Sequence, residues 1–305
     1  MRAHHYLRAA MIGACLTQIG CAARADGNAQ AAIASAPTKL MTWPDLLDRP
    51  RPSPDATVAY GSDALQRVDV WLPKGRGFHP TVLMVHGGCW MTDIADRTIM
   101  NWISDDLRRH GIAVWNIDYR GVDRPGGGYP GTYQDVAAAA DALRSNAARY
   151  SLDISRLVAV GHSAGGHLAL WLAARPKFQS SNPMRVAKAL PIPAVVSLGG
   201  LPDLEEAARP PGSGCGIPVI GKISGGNFAL TSVPRLAPLG IRQVLVNGLQ
   251  DRIIPTFYAT DYAAAMNAKG DKVTVRFVDR TGHVELIAPD SRAWMIARDE
   301  IRRSF

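Results

Sequence analysis

The chain is poor in cysteine, with four in 305 residues, and holds no Cys-x-x-Cys or His-Glu-x-x-His spacing. A structural zinc therefore has no ligand pattern to occupy, and no metal is expected. No apolar run reaches the roughly 18 residues that a membrane-spanning helix needs, so no stable span is expected. The formal charge is +8, yet no Lys/Arg run or aromatic-interleaved basic stripe gathers it. Nucleic acid is thus not an expected partner, and the basic balance reads as solubility. No internal repeat is visible.

What is present is ordinary globular composition, 47% hydrophobic with 29 Gly and 21 Pro, long enough for one large domain or two small ones. The N-terminus stands apart. Arg2 and Arg8 precede a small-residue apolar stretch from Ala9 to Ala23, followed by Ala23-Arg24-Ala25. That is the order of a secretory signal peptide over residues 1–25, although Thr17 and Gln18 weaken its apolar core. The expected address is periplasmic or extracellular, and cytoplasmic if the leader is not one. Cys21 or Cys15 offers a second reading, a lipid anchor. Outside the leader only Cys89 and Cys215 remain, and an exported chain could pair them, but sequence does not show that they meet.

Residues 26–57 carry Pro37, Pro44, Pro50, Pro52 and Pro54, a linker or irregular arm with Trp43, Leu46 and Leu47 as anchors. From Val58 onward strands alternate with helices. Strands are expected over 66–72, 81–85, 112–117, 157–160, 194–198, 243–246 and 273–278. Helices are expected over 97–110, 132–149, 164–174, 256–268 and 291–303, the second opened by a Thr132-x-x-Asp135 capping box. This alternation predicts an α/β domain over 58–305, a mostly parallel, doubly wound sheet with helices on both faces. Ligands of such sheets collect at the carboxyl ends of the strands. Residues 199–240, with six prolines and many glycines, are too long for an idle loop and predict a lid or pocket wall.

One stretch organises the rest. Val158-Ala159-Val160 enters Gly161-His162-Ser163-Ala164-Gly165, and Leu168 to Leu172 leaves it as a helix. A serine on so tight a strand-to-helix turn cannot tuck its hydroxyl into either element, so the oxygen stands exposed. Gly161 and Gly165 fall where a Cβ would collide with neighbouring elements. Such a serine needs a base. Of eight histidines, His4 and His5 lie in the leader, and His79 (in a turn) and His110 read as surface residues. The turn should direct His162 away from Ser163, and His167 reads as packing. His283, on the loop after the last strand, can reach across the sheet top and is the expected base. Asp251, past the strand ending at Val246, is the expected carboxylate, with Asp203 its rival and Asp279 too close to His283 along the strand. His86-Gly87-Gly88-Cys89-Trp90 follows the strand 81–85. Its glycines can aim backbone N–H groups at a developing oxyanion, with the N–H of Ala164 completing the hole. Trp90 and Tyr129 are candidates to line a substrate pocket.

Oxyanion loop, Ser163, Asp251 and His283 stand in the order of an α/β-hydrolase. From about Val58 onward the chain resembles the esterase/lipase superfamily of that fold. The match is carried by His86-Gly87-Gly88-x-Trp90, Gly161 to Gly166, Asp251-Arg252-Ile253-Ile254-Pro255 and Gly282-His283. The His-Gly-Gly-x-Trp form is similar to the branch containing animal-type kynurenine formamidases and feruloyl/acetylxylan-esterase-like enzymes. Relatives of hormone-sensitive lipase usually carry a third glycine where Cys89 stands. The resemblance implies a cofactor-free serine hydrolase acting on a small-molecule ester through an acyl-enzyme. An arylformamidase or other amidase on the same residues is the alternative within enzymes, and a non-catalytic ligand-binding protein the alternative outside them. Neither the natural substrate nor the oligomeric state is legible.

Overall fold

Strict alternation of side chains along each strand makes two cores, one on each face of a single sheet. On β3 (His79–Val85) Leu83 and Val85 enter one core, Val82 and Met84 the other. On β4 (Ala113–Ile117) Trp115 and Ile117 face the first core and Val114 the second. Successive Cβ atoms of a strand point to opposite faces, so a continuous apolar run requires cover on both.

The computed structural model describes residues 39–305, so the leader and residues 26–38 of the arm lie outside the described residues. The remaining strands are β1 (Ala56–Ala59), β2 (Arg67–Trp71), β5 (Leu152–His162), β6 (Ala194–Leu198), β7 (Arg242–Gly248) and β8 (Val273–Val278). Their order across the sheet is β1-β2-β4-β3-β5-β6-β7-β8. β1 with β2 and β2 with β4 are antiparallel, and every other neighbouring pair is parallel. The expected α/β sheet, mostly parallel with helices on both faces, is thus the one observed.

Before the sheet stands α1 (Trp43–Leu47), and after β3 comes α2 (Asn101–Arg109). Then follow α3 (Gly131–Asn146), α4 (Ala164–Ala174), α8 (Phe257–Asn267) and α9 (Arg292–Arg302). The helices α3, α4 and α8 contribute to the first core; α1, through Leu46, joins α2 and α9 in the second. Residues 199–240 are not bare loop: they hold α5 (Leu204–Ala207), α6 (Ile217–Ser224) and α7 (Phe228–Thr231). Four to eight residues give too few turns for a legible period.

Two local expectations fail. The capping box at Thr132 and Asp135 does not form, because α3 starts at Gly131 with Pro130 as its cap. Asp135 is instead held by the Arg120 guanidinium and accepts from Gln66. An ion pair with a fork of donors outcompetes a single backbone N–H for the carboxylate. His79 does not sit in a turn; it opens β3, half-buried.

Candidate active site

The geometry of the turn after β5 follows from what surrounds it. Ser163 has φ 54° and ψ −122°, a conformation that a side chain rarely adopts. Such strain persists only where neighbours over-determine it. The Ser163 N–H donates to the Leu198 carbonyl at the end of β6, and the Ser163 carbonyl accepts from Gly166. A Cβ on Gly161 would lie 2.1 Å from the Gly165 carbonyl oxygen, and one on Gly165 would lie 2.2 Å from that of Val85. Glycine at both positions lets α4 press against β3 and β5, which leaves Ser163 at the carboxyl edge of the sheet.

Asp251 and His283 arrive from β7 and β8. The Asp251 carboxylate is buried, with Oδ1 accepting the N–H groups of Ile253 and Ile254 at 2.9 Å each. Its other oxygen, Oδ2, lies 2.6 Å from Nδ1 of His283. Two backbone donors fix the plane of the carboxylate, and the carboxylate fixes the imidazole. With Nδ1–H donating, Nε2 is left as the free base. The alternatives to Asp251 are occupied elsewhere. Asp203 caps α5 and accepts from Ser232, while Asp279 is exposed and bonds Gln250 and Arg280.

Ser163 and His283 line one cavity of about 250 Å³ together with Gly88, Cys89 and His162. Gly87 packs directly on the turn, since a Cβ there would sit 3.0 Å from Cβ of Ser163. Gly88 has φ 97°, and Cys89 behind it has φ 52°. His86 points away from the cavity. Its Nδ1–H donates to the Gly87 carbonyl at 2.7 Å, its Nε2 pairs with Asp118 at 3.0 Å, and its ring stacks on Tyr119. Burial pushes the Asp118 carboxyl up, but His86 and Arg97 outweigh it and hold the group below the usual carboxylate range. This buried network braces the glycine turn from behind. Ala164 is the first residue of α4, so its N–H has no acceptor within the helix. Two donor segments, the glycine turn and the start of α4, therefore flank Ser163, at a helix end whose dipole favours negative charge.

Several residues fall where the sequence reading did not put them. His162 does not turn away from Ser163: it lines the same cavity, and its Nε2–H donates to the His283 carbonyl at 3.2 Å. Burial, reinforced by neighbouring His283, holds its imidazole well below the usual value, so the ring is neutral. Trp90 and Tyr129 do not line this cavity. Trp90 is wholly buried, edge-on to His167, and Tyr129 lies against Tyr133 and Gly225. His167 is the packing residue expected of it, with Nε2–H donating to the Thr231 carbonyl.

Trp43, expected only as an anchor of the arm, stands at the site: its ring is edge-on to both His162 and His283, with centroids 6.3 Å away in each case. Its only signal was an aromatic residue in a proline-rich arm. The two cysteines left open by sequence form a disulfide, Cys89 to Cys215, joining the glycine turn to residues 199–240. Beside it, the Gly214 N–H donates to the Ile253 carbonyl, two residues past Asp251.

Known proteins are similar to the chain in the same region. The BD-FAE family model matches residues 68–214. A probable isoprenylcysteine alpha-carbonyl methylesterase of rice, Oryza sativa subsp. japonica, is 32% identical over 114 residues, covering 37% of this chain and 26% of its own. Esterase LipC of Mycobacterium tuberculosis is 30% identical over 159 residues, covering 50% of this chain and 38% of its own. The chain thus spans about a quarter to two fifths of the length of these curated relatives. Among solved structures, a truncated carbohydrate esterase from gut microbiota superposes with a TM-score of 0.67 at 21% identity. That alignment covers 83% of this chain and 97% of the other, a likeness of fold.

Proposed function

We propose that this chain, which belongs to the α/β-hydrolase esterase superfamily, is a serine carboxylic-ester hydrolase that works through an acyl-enzyme. One observation carries the reading: Ser163 and His283 face one cavity beside the Gly87–Gly88 turn, with Asp251 bonded to the far nitrogen of His283.

In this reading Oγ of Ser163 attacks the ester carbonyl while Nε2 of His283 takes its proton. The Asp251 carboxylate holds the tautomer and stabilises the imidazolium that forms. Charge builds on the carbonyl oxygen, and the N–H groups of Gly87, Gly88 and Ala164 receive it. Each such donor is worth about 3 kcal/mol of transition-state stabilisation in comparable sites. His283 then protonates the departing alcohol, and a water activated by the same nitrogen cleaves the acyl-serine. No step asks the chain's residues for redox chemistry.

The leader pattern of residues 1–25 and the Cys89–Cys215 disulfide both support an exported protein, because disulfides persist in oxidising compartments.

The test is hydrolysis of p-nitrophenyl acetate and butyrate, beside N-formylkynurenine, by wild type and Ser163→Ala. The reading expects turnover of the esters and its loss by at least about a thousandfold in the variant. Equal rates for the two proteins, or turnover of the formamide alone, would sink it.

A further inference from the structure

Trp43 belongs to none of the sequence motifs, yet it stands against both cavity histidines, and its placement is built rather than incidental. It opens α1, whose start is held by Thr42: the Thr42 N–H and hydroxyl both donate to the Asp45 carboxylate, at 2.7 and 2.8 Å. Leu46, three residues on, is wholly buried. Just ahead of the helix, the Met41 N–H donates to Oε1 of Glu285 at 2.6 Å, while Oε2 of Glu285 accepts from Gly282. One carboxylate thus ties the arm to the residue next to His283.

The indole divides two spaces. On one side is the cavity that holds Ser163 and Gly88. On the other is a groove of about 380 Å³ that Leu40, Pro44, Gln250, Arg252 and Val284 help line. Trp43, Ile253 and His283 line both. The residues completing the Ser163 side are Leu47, Ile94, Ala95 and Ile99, together with Cys89. None of them carries a charge, and the only titratable rings there are His162, kept neutral by burial, and His283, committed to Asp251. A carboxylate held against these walls would give up part of its hydration, Leu47 and Ile94 being themselves exposed, and would find no cation among the lining residues. The groove has the exposed guanidinium of Arg252 and the amide of Gln250 instead.

We propose that Trp43 is a specificity-determining residue: it closes an acyl pocket that admits uncharged apolar acyl groups and excludes acyl chains bearing a carboxylate, and it confines the leaving group to the groove beyond. The inference rests on the serine-esterase reading. It follows from where His283 must act, because the alcohol that receives its proton has to lie beside that ring and away from the acyl chain. The groove is the second space that His283 lines.

The experiment compares kcat/KM for p-nitrophenyl hexanoate and the p-nitrophenyl monoester of adipic acid. The two acyl groups match in chain length and differ by a terminal carboxylate. Wild type, Trp43→Phe and Trp43→Ala are assayed, with spontaneous hydrolysis subtracted. Wild type is expected to prefer hexanoate by about a hundredfold, the cost of leaving a charge partly unpaired. Trp43→Ala merges the two spaces, so the preference should fall by at least about tenfold through KM for the adipate ester, and Trp43→Phe should keep it. Loss of stability alone would slow both esters and leave their ratio unchanged. Wild-type rates within threefold of each other, or a ratio in Trp43→Ala within twofold of wild type, would overturn the inference while hydrolysis itself still supported the esterase reading. Failure of wild type to hydrolyse either ester would overturn the inference, and failure on the acetate and butyrate esters as well would overturn both.

Discussion

Nδ1 of His283 lies 2.6 Å from Oδ2 of Asp251, and the other oxygen of that carboxylate is held by two backbone N–H groups. The carboxylate therefore selects the tautomer in which Nε2 is bare. In Asp251→Asn an amide can present its N–H to the ring and stabilise the opposite tautomer. We expect kcat to fall by about 10³- to 10⁴-fold with KM little changed. Steady-state kinetics on p-nitrophenyl butyrate check this, and a loss under tenfold would mean that Asp251 does not orient the base.

Gly87 has no room for a side chain. A methyl group there would lie 2.9 Å from Nδ1 of His162 and 3.0 Å from Cβ of Ser163. Gly87→Ala should push the glycine turn off Ser163 and lower kcat by about a hundred- to a thousandfold, the range seen when an oxyanion donor is lost. Thermal unfolding run beside the kinetics separates this from loss of fold. Undiminished kcat would remove Gly87 from the oxyanion site.

The Cys89–Cys215 disulfide connects the glycine turn to the segment whose Gly214 bonds Ile253 beside Asp251. It spans 126 residues of sequence, so cutting it frees a large loop in the unfolded chain. Replacing both cysteines by serine should lower stability by about 2–5 kcal/mol. It should also reduce kcat, since Cys89 lines the cavity. Urea midpoints and kinetics for the double variant test both effects. Unchanged kcat in folded protein would leave the disulfide a purely structural brace.

His167 is wholly buried, and burial lowers its pKa from 6.5 to about 4 even though the Thr231 carbonyl works the other way. The folded pKa is depressed, so between about pH 6.5 and pH 4 the unfolded chain binds the proton and the folded chain does not. Stability should therefore rise with pH across that window, by about 3 kcal/mol from this group. Neutral, buried His162 adds a contribution of the same sign. Urea midpoints at pH 4.5, 5.5 and 7 should show a shallower pH dependence in His167→Gln than in wild type. Parallel dependences would contradict the assignment.

Much of this could be read from residue order, because the informative segments carry strong periodicity. β6 at Ala194–Leu198 and β8 at Val273–Val278 match the expected spans, since continuous or alternating apolar runs bounded by turns admit few other conformations. Placing Asp251 and His283 after neighbouring strands needed only the parallel sheet. What escaped depends on contacts between distant segments. Trp43 sits in a proline-rich run without period, and its helix is defined by Thr42, Asp45 and the buried Leu46. The partner of Cys89 lies 126 residues away. Trp90 looked like a pocket residue because it follows the glycine turn, but with φ 54° its backbone turns the ring into the core.

Activation of Ser163 as a nucleophile can be tested directly. A fluorophosphonate probe forms a stable bond with a serine only where a base and an oxyanion site activate it, and peptide mass spectrometry locates the adduct. One adduct is expected, on Ser163, formed rapidly in wild type, slowed by at least about a hundredfold in Asp251→Asn, and absent in Ser163→Ala. Folded wild-type protein that remains unlabelled, or carries the label on another residue, would contradict it.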